Sequence, residues 1–309
     1  MYDQSKKKLS RREFITRSTT LAAGLAGAFA TSCATAPSGE TKAPSGADMK
    51  FGLVTYLWGK DWKLPALIRN CQRAGVYGVE LRVDHAHGVS PALSSRERAE
   101  VRMRFQYSPV ELVGFGTNYA FHYTDKEELQ ANLQGAKEYV RLSSELGGGG
   151  VKVKPNALPD DVPEEQTIEQ IGRSLNDLGE YAGSYGQEIR VEVHGRETSR
   201  LPIMKRIFDL VDQPSVGVCW NCNDNDLEGE GLEHNFNLVR GDFSQIVHIR
   251  ELGEGDYPYQ ELFNLFAAMN YNGWILLEAR TNPGDRINAL KDQRELFEEM
   301  QSKAQASTT

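Results

Sequence analysis

A carboxylate and an imidazole stand two residues apart in Glu-Ile-Arg-Val-Glu-Val-His-Gly, the run that covers residues 188–195. In a β-strand successive side chains point to opposite faces, so Glu192 and His194 would share one face while the valines beside them point to the other. The apolar run then stops at Gly195. A carboxylate beside an imidazole at the carboxyl end of such a strand predicts a functional site there.

The same arrangement recurs along the chain. Five further runs carry polar side chains on one face near their carboxyl ends: Lys152 and Lys154; Glu80, Arg82 and Asp84; Asn221 and Asn223; His248 and Arg250; Glu278 and Arg280. Six strands that end in this way predict one convergent pocket. Interior salt bridges are the alternative, but a buried ion pair rarely stabilises a core more than apolar packing does. We therefore interpret the polar pairs as functional.

Eight candidate strands alternate with helical patterns from Met49 onward. The strands are 50–57, 78–84, 110–116, 150–155, 188–194, 215–221, 245–251 and 274–279. Between them apolar residues recur at helical spacing, for instance in 127–146, 164–185 and 259–269. Eight strand–helix units of this length predict a (β/α)8 TIM barrel, whose catalytic groups lie at the carboxyl ends of the strands. An open doubly wound sheet is the competing architecture, but no Gly-x-Gly-x-x-Gly follows the first strand.

The charge balance argues against a polyanionic partner. The 309-residue chain has a formal net charge of −8. Its first 33 residues contain six basic and two acidic residues, so the remainder carries 29 basic against 41 acidic residues, a net charge of −12. A nucleic-acid-binding surface would need a basic stripe. We predict no nucleic-acid partner, and the oligomeric state stays open.

The amino terminus has the layout of a bacterial export signal. Three lysines at 6–8 and the pair Arg11-Arg12 precede an apolar stretch over residues 21–30. This charged-then-apolar order is typical of a signal peptide, and the paired arginines resemble a twin-arginine (Tat) signal. A basic, weakly amphipathic helix is the alternative. The apolar stretch is shorter than the roughly 20 residues that span a bilayer.

The chain divides into four predicted segments: an export signal (1–33), a flexible linker (34–48), a TIM-barrel domain (49–300) and a polar tail (301–309). Cys33 follows small residues and resembles the lipidated cysteine of a bacterial lipoprotein. Plain cleavage near Ala30 or Ala36 is the alternative. The protein is thus predicted to be exported, either periplasmic or tethered to a membrane through a lipid on Cys33.

Four of the polar positions resemble the metal-binding positions of the sugar phosphate isomerase/epimerase family, which has a xylose isomerase-like barrel. They are Glu192, Asn221, His248 and Glu278, on the fifth to eighth predicted strands. The best local matches are Glu-x-His-Gly on the fifth strand and His-Ile-Arg-Glu on the seventh, and the resemblance covers about residues 50–300. The family includes ketose 3-epimerases, in which the two glutamates bind the metal and exchange protons with the substrate. The resemblance implies the same roles for Glu192 and Glu278.

One position departs from the family pattern. The ligand on strand six is usually Asp, whereas this chain has Asn221, and the histidine expected after it is missing because Asp224 and Asp226 occupy that loop. Asn still offers a neutral oxygen to a hard cation. The loss of one negative charge predicts weaker metal binding.

The four residues have a chemistry that does not depend on the family. Two carboxylates, an imidazole and an amide oxygen suit Mn²⁺, Mg²⁺, Co²⁺ or Zn²⁺. A divalent cation that holds a substrate carbonyl and an adjacent hydroxyl acidifies the neighbouring C–H bond and stabilises the enediolate that follows. Glu192 and Glu278 would then remove and return the proton from opposite faces. This chemistry serves isomerisation and epimerisation, whereas expulsion of a β-oxygen would make the protein a lyase or dehydratase.

The other polar residues near the strand ends are predicted to bind the substrate. This set is Arg82, His87, Lys152, Lys154, His194, Asn223 and Arg250. The lysines would polarise substrate oxygens, and the arginines would bind hydroxyls or a carboxylate, with a salt-bridge role as the alternative. Trp58 and Trp220 would either stack on a sugar ring or pack in the core.

The leading hypothesis is an exported, metal-assisted isomerase or epimerase of carbohydrate metabolism that acts on an unphosphorylated sugar through an enediolate. A lyase or hydratase of a 3-keto-glycoside or related oxidised sugar is the second hypothesis, and a non-catalytic sugar-binding lipoprotein is the third. Phosphorylated substrates are disfavoured, because barrels that bind phosphate commonly use glycine-rich backbone after strands seven and eight. This chain has only the dispersed Gly253, Gly255 and Gly284 there.

Overall fold

Eight short apolar runs form the strands of one parallel sheet. The computed structural model describes residues 48–307, so the predicted export signal and nearly all of the predicted linker lie outside the described residues. The strands are β1 (Lys50–Val54), β2 (Gly78–Arg82), β3 (Glu111–Ala120), β4 (Gly150–Lys154), β5 (Glu188–Glu192), β6 (Val216–Cys219), β7 (Ile246–Ile249) and β8 (Trp274–Leu277). Each one falls where the sequence predicts a strand.

The strand order closes the sheet into a barrel. Neighbouring strands pair in parallel in the order β6-β5-β4-β3-β2-β1-β8-β7. Between the two end strands, the backbone N–H of His248 donates to the carbonyl of Trp220 (2.8 Å), and Val218 forms a parallel bridge to Phe243. The fold is therefore a nearly closed (β/α)8 TIM barrel, as predicted, and not an open doubly wound sheet.

A helix follows each strand and covers the outside of the barrel. Within the described residues the helices are α1 (Leu64–Ala74), α2 (Ser95–Gln106), α3 (Lys126–Leu146), α4 (Glu164–Ser184), α5 (Leu201–Phe208), α6 (Leu232–Val239), α7 (Tyr259–Ala268) and α8 (Arg286–Ser307). Helix α8 keeps Ala304 buried, so the last helix of the barrel extends past residue 300, where the sequence pattern predicts a polar tail. Among residues 48–307, no helix combines the length and apolar character needed to cross a membrane.

Glycines on the first four strands make room for large side chains from the last four. A Cβ added at Gly78 would lie 2.2 Å from the Trp274 ring, and one at Gly114 would lie 2.7 Å from Nη1 of Arg190. Arg190 is buried and pairs with Glu188, Nε to Oε2 at 3.0 Å. Because Glu188 begins β5, this ion pair lies at the amino-terminal end of the barrel interior. An interior salt bridge thus fills the barrel below the predicted pocket.

Candidate active site

Four polar side chains meet at the carboxyl ends of the last four strands. Glu192 is the last residue of β5, His248 lies within β7, and Asn221 and Glu278 follow β6 and β8. All four are at most 6% exposed. Donor atoms of Glu192, His248 and Glu278 all lie within 4.8 Å of one another, and Nδ2 of Asn221 lies 3.1 Å from Oε1 of Glu192. The structure therefore brings together the four residues singled out from the sequence.

Lys152 forms a buried ion pair with Glu192. Its ammonium group contacts Oε2 of Glu192, and both side chains are almost wholly buried. Burial by itself would raise the pKa of Glu192, but the positive charges of Lys152 and Lys154 outweigh it and hold the pKa below its usual range. Glu192 is therefore a carboxylate at neutral pH. Lys152, predicted to polarise substrate oxygens, contacts this carboxylate.

Glu80 on β2 reaches across the barrel to His248. Its Oε1 lies 3.3 Å from Nε2 of His248, and both side chains are fully buried. Burial, the largest single influence, would raise the pKa of Glu80, but the charge and hydrogen bond of His248 together with the charges of Lys152 and Arg190 outweigh it and lower the pKa. A carboxylate behind a metal-binding histidine orients the ring. Glu80 is one of the same-face polar residues recognised in the sequence but is not among the predicted metal or substrate residues, and Gly116 leaves room for it, since a Cβ there would lie 2.4 Å from Oε1 of Glu80.

The donor set fits a divalent cation. Ligands at about 2.0–2.3 Å from one ion are separated by up to roughly 4.6 Å, which is close to the 4.8 Å that bounds the three donor atoms here. Nδ1 of His248 is buried and lacks a hydrogen-bond partner among residues 48–307, whereas Nε2 faces Glu80. An orphaned buried nitrogen of this kind calls for a partner, and an ion would supply one. Glu192, His248 and Glu278 would hold the cation, with the amide of Asn221 beside them.

Three basic side chains line the mouth of the barrel next to this group. Arg82 ends β2 and donates from Nη2 to Oδ1 of Asn118 (3.0 Å), and Lys154 ends β4. Burial lowers the pKa of Lys154 to about 8, although the nearby Glu192 opposes the shift. His194 has its Nδ1 buried without a partner in the described part of the chain. These three members of the predicted substrate set lie where a substrate would enter.

Two other members of that set are engaged by the loops that carry them. His87 has Nε2 at 2.7 Å from the carbonyl of Arg82, and its Nδ1 accepts from the N–H of Val89 (3.0 Å). Burial lowers the pKa of His87 to about 4, so the ring is neutral at pH 7. Asn223 donates from Nδ2 to a backbone carbonyl, that of Val193, at 2.7 Å. Both residues hold loop backbone, and we leave them out of the substrate site proposed below.

A buried carboxyl group holds the loop after β6. Asp226 accepts hydrogen bonds from the hydroxyl of Tyr257 (2.8 Å) and from the backbone N–H of Asn223 (2.8 Å). Burial raises the pKa of Asp226 to about 7. Arg250, a predicted substrate residue, borders this loop, with Nη1 at 4.0 Å from Oδ1 of Asp224. The loop and Arg250 form the opposite side of the mouth from Arg82, since their strands are β6 and β7.

The two tryptophans near strand ends pack in the core. Trp220 is fully buried and donates from Nε1 to the hydroxyl of Tyr257 (3.0 Å). Trp58 is 3% exposed and donates to the carbonyl of Thr281 (3.1 Å). Buried rings with engaged N–H groups have no face left for a sugar.

A short parallel ribbon borders the mouth beside Lys154 and His194. Residues 156–157 pair with residues 195–196, in register Asn156 to Gly195. The φ angles of Asn156 and Gly195 are 77° and 102°, in the left-handed region. Such conformations cost free energy and concentrate at functional sites, where the surrounding structure enforces them. The ribbon was not predicted, because two-residue strands leave no periodicity in a sequence.

The chain resembles known proteins in its sequence profile and in its fold. A profile described as a xylose isomerase-like TIM barrel matches residues 68–300. A search of curated proteins found no match. Among solved structures, the 3-keto-D-glucoside 4-epimerase from E. coli has a TM-score of 0.69 at 18% identity, over 81% of this chain and 99% of that chain.

Two further solved structures carry a bound molecule or ion. D-allulose 3-epimerase from Methylomonas sp., in complex with D-allulose, has a TM-score of 0.69 at 16% identity, over 82% of this chain and 97% of that chain. The IOLI protein, with a bound zinc atom, has a TM-score of 0.66 at 13% identity, over 84% of this chain and 99% of that chain. At these identities the likeness shows the fold.

Proposed function

Since the chain belongs to the xylose isomerase-like TIM barrel family, we propose that it is an exported, metal-assisted isomerase or epimerase acting on an unphosphorylated carbohydrate. The observation that carries the proposal is the convergence of Glu192, His248 and Glu278, whose donor atoms lie within 4.8 Å of one another. Two of the solved relatives are named as sugar epimerases, which supports this class. Export rests on the amino-terminal sequence alone.

Two buried carboxylates can take a proton from the substrate and return it. Glu192 is held in its ionised form beside Lys152, so it can accept a proton from a carbon next to a carbonyl group. Glu278 faces the same cavity from β8 and can return the proton. A divalent cation, when bound, would polarise the carbonyl and acidify the C–H bond. Return of the proton to the opposite side of the same carbon would invert a stereocentre, whereas return to the neighbouring carbon, with a proton shift between the two oxygens, would move the carbonyl group.

A solvent deuterium exchange assay tests the proposal. The protein is incubated in D₂O with a panel of unphosphorylated ketoses and added Mn²⁺ or Co²⁺, and the products are analysed by NMR. We expect deuterium on the carbon next to the carbonyl, together with a new isomer or epimer. Arg96→Gln, in an exposed ion pair on α2, is the control that keeps full activity. Exchange with no sugar at all, or exchange that survives Glu192→Gln, would contradict the proposal.

The same panel separates the other two hypotheses when 3-keto-disaccharides are included. A lyase would release an enol-type sugar that absorbs in the ultraviolet. A sugar-binding protein would bind a sugar in a calorimetric titration without metal and without turnover. The fold similarity to a 3-keto-D-glucoside epimerase motivates these additional substrates.

The affinity for a divalent cation should rise when Asn221 is replaced with Asp. Lys152 already neutralises part of the negative charge that Glu192 offers, and Asn221 adds none. A carboxylate at position 221 would add one negative charge, so we expect the dissociation constant for Mn²⁺ to fall about tenfold, or about 1.4 kcal/mol. Calorimetric titration of the chelator-treated variant measures this change. His248→Ala is the matched loss variant, and an unchanged affinity in Asn221→Asp would place the ion elsewhere.

A further inference from the structure

Two cations at the barrel mouth, Arg82 and Lys154, form no ion-pair contact among the described residues. Arg82 is the last residue of β2 and Lys154 is the last residue of β4, and both side chains are only partly buried. Among residues 48–307, no carboxylate lies within 4.0 Å of either cationic group. Deeper in the barrel, Lys152 forms an ion pair with Glu192, and Arg190 forms one with Glu188. The barrel therefore pairs Lys152 and Arg190 in its interior and leaves Arg82 and Lys154 at its mouth without an ion-pair contact.

The surroundings make this contrast stronger. The chain after residue 33 carries a net charge of −12, and surface cations such as Arg98 and Lys137 pair with acidic side chains. A concave site that presents unpaired charges of one sign focuses the potential and concentrates ligands of the opposite charge. Gly116 leaves room for the Arg82 side chain, because a Cβ at this position would lie 2.8 Å from Cδ of Arg82. Glycine on β3 thus allows Arg82 to lie across the mouth.

Arg82 is held in place for recognition. Its Nη2 donates to Oδ1 of Asn118 at 3.0 Å, and its guanidinium carbon lies 5.7 Å from the centre of the Tyr56 ring. These contacts fix the plane of the group and satisfy one of its five donors. A planar guanidinium held in this way matches the two oxygens of a carboxylate. Lys154, at the end of β4, adds a point charge, and His194, just after β5, adds a ring nitrogen.

We propose that the substrate is a sugar acid, whose carboxylate binds Arg82 and Lys154 while its carbonyl end reaches Glu192 and Glu278. The inference rests on the proposed function and narrows its substrate class. A single carboxylate has one negative charge, which two cations and a ring nitrogen can satisfy. A phosphate dianion would call for backbone amides as well, and the glycines after β7 and β8 are dispersed.

Matched pairs of sugars test this inference. Each pair consists of a ketose and the ketouronic acid of the same configuration, in which the terminal CH₂OH is oxidised, with the corresponding sugar phosphate as a third arm. We expect kcat/KM for the acid to exceed that for the neutral sugar at least about tenfold, since hydrogen bonds between a guanidinium and a carboxylate are roughly twice as strong as those between neutral groups. Arg82→Gln and, separately, Lys154→Met should remove most of this preference through KM. Arg96→Gln should leave it unchanged.

Binding is measured independently of turnover. Titration of a uronic acid into the Glu278→Gln variant should show saturable binding that is lost when Arg82→Gln is added. Equal kcat/KM for acid and neutral sugar would overturn the inference and leave the proposed function standing, as would a preference for the phosphate. Uronate binding that depends on Arg82, without exchange in any sugar, would support the anion site and overturn the function. Absence of both binding and turnover would overturn both.

Discussion

The variant Glu192→Gln is expected to lose about 10²–10⁴-fold in kcat and about 3–5 kcal/mol in the free energy of unfolding. The loss of activity follows because the amide cannot accept a proton from carbon. The loss of stability follows because Lys152 is fully buried and would lose the carboxylate that its ammonium group contacts. Deuterium exchange measures the first effect and urea denaturation measures the second.

The double variant Glu192→Gln/Lys152→Met separates the two effects. Removing both charges leaves no unpaired ammonium in the interior, and such replacement of a buried pair is often neutral or stabilising. We expect the double variant to regain most of the lost stability and none of the lost activity. Equal stability of the single and double variants would show that Lys152 finds another partner, for which Glu80 is the candidate.

Gly195→Ala should lower the free energy of unfolding by about 2–5 kcal/mol, since left-handed strain and overpacking each cost roughly 1–3 kcal/mol. Gly195 has a φ of 102°, and its Cβ would lie 1.8 Å from the carbonyl oxygen of Asn156. That oxygen is backbone, so the ribbon beside Lys154 and His194 would have to move. We therefore expect a rise in KM as well, measured on whichever sugar the wild type turns over.

Gly186→Ala is the matched control for this experiment. Gly186 also has a positive φ, 65°, but a Cβ there meets nothing within 4 Å. The Gly186→Ala substitution should lower the free energy of unfolding by about 1 kcal/mol, because only the strain of the left-handed backbone is added. A loss at Gly195 no larger than the loss at Gly186 would mean that the ribbon yields without cost.

The sequence predicts the barrel well because each strand is a short apolar run with its own periodicity. The same alternation predicts which polar side chains point into one pocket, and the resemblance to sugar phosphate isomerases and epimerases selects Glu192, Asn221, His248 and Glu278 among them, which the structure brings together. Each member stands at the end of a strand, where the fold brings such positions together. Local pattern and fold geometry thus carry most of the site.

Contacts across the barrel were not predictable in this way. The approach of Glu80 to His248 joins β2 to β7, and the pairing of Lys152 with Glu192 depends on which side chain is long enough to reach its neighbour. The alternation along a strand predicts which way a side chain points, but it does not predict which residue that side chain contacts. The opposite error arose at His87, a polar residue near the mouth whose nitrogens contact backbone in its own loop. Residue type alone does not separate a ligand from a loop support.

Large side chains on one half of the barrel occupy space that glycines on the other half leave open. Positions that are distant in the sequence should therefore constrain each other in evolution. Gly78 is small because the ring of Trp274 lies where its side chain would be, and Gly114 is small because the carbonyl oxygen of Gly150 and the guanidinium of Arg190 lie against it. A larger residue at 78 is compatible only with a smaller one at 274, and neither change is tolerated first without cost. Among homologous barrels these positions should therefore co-vary, so that substitutions on β2 and β8 occur as compensating pairs.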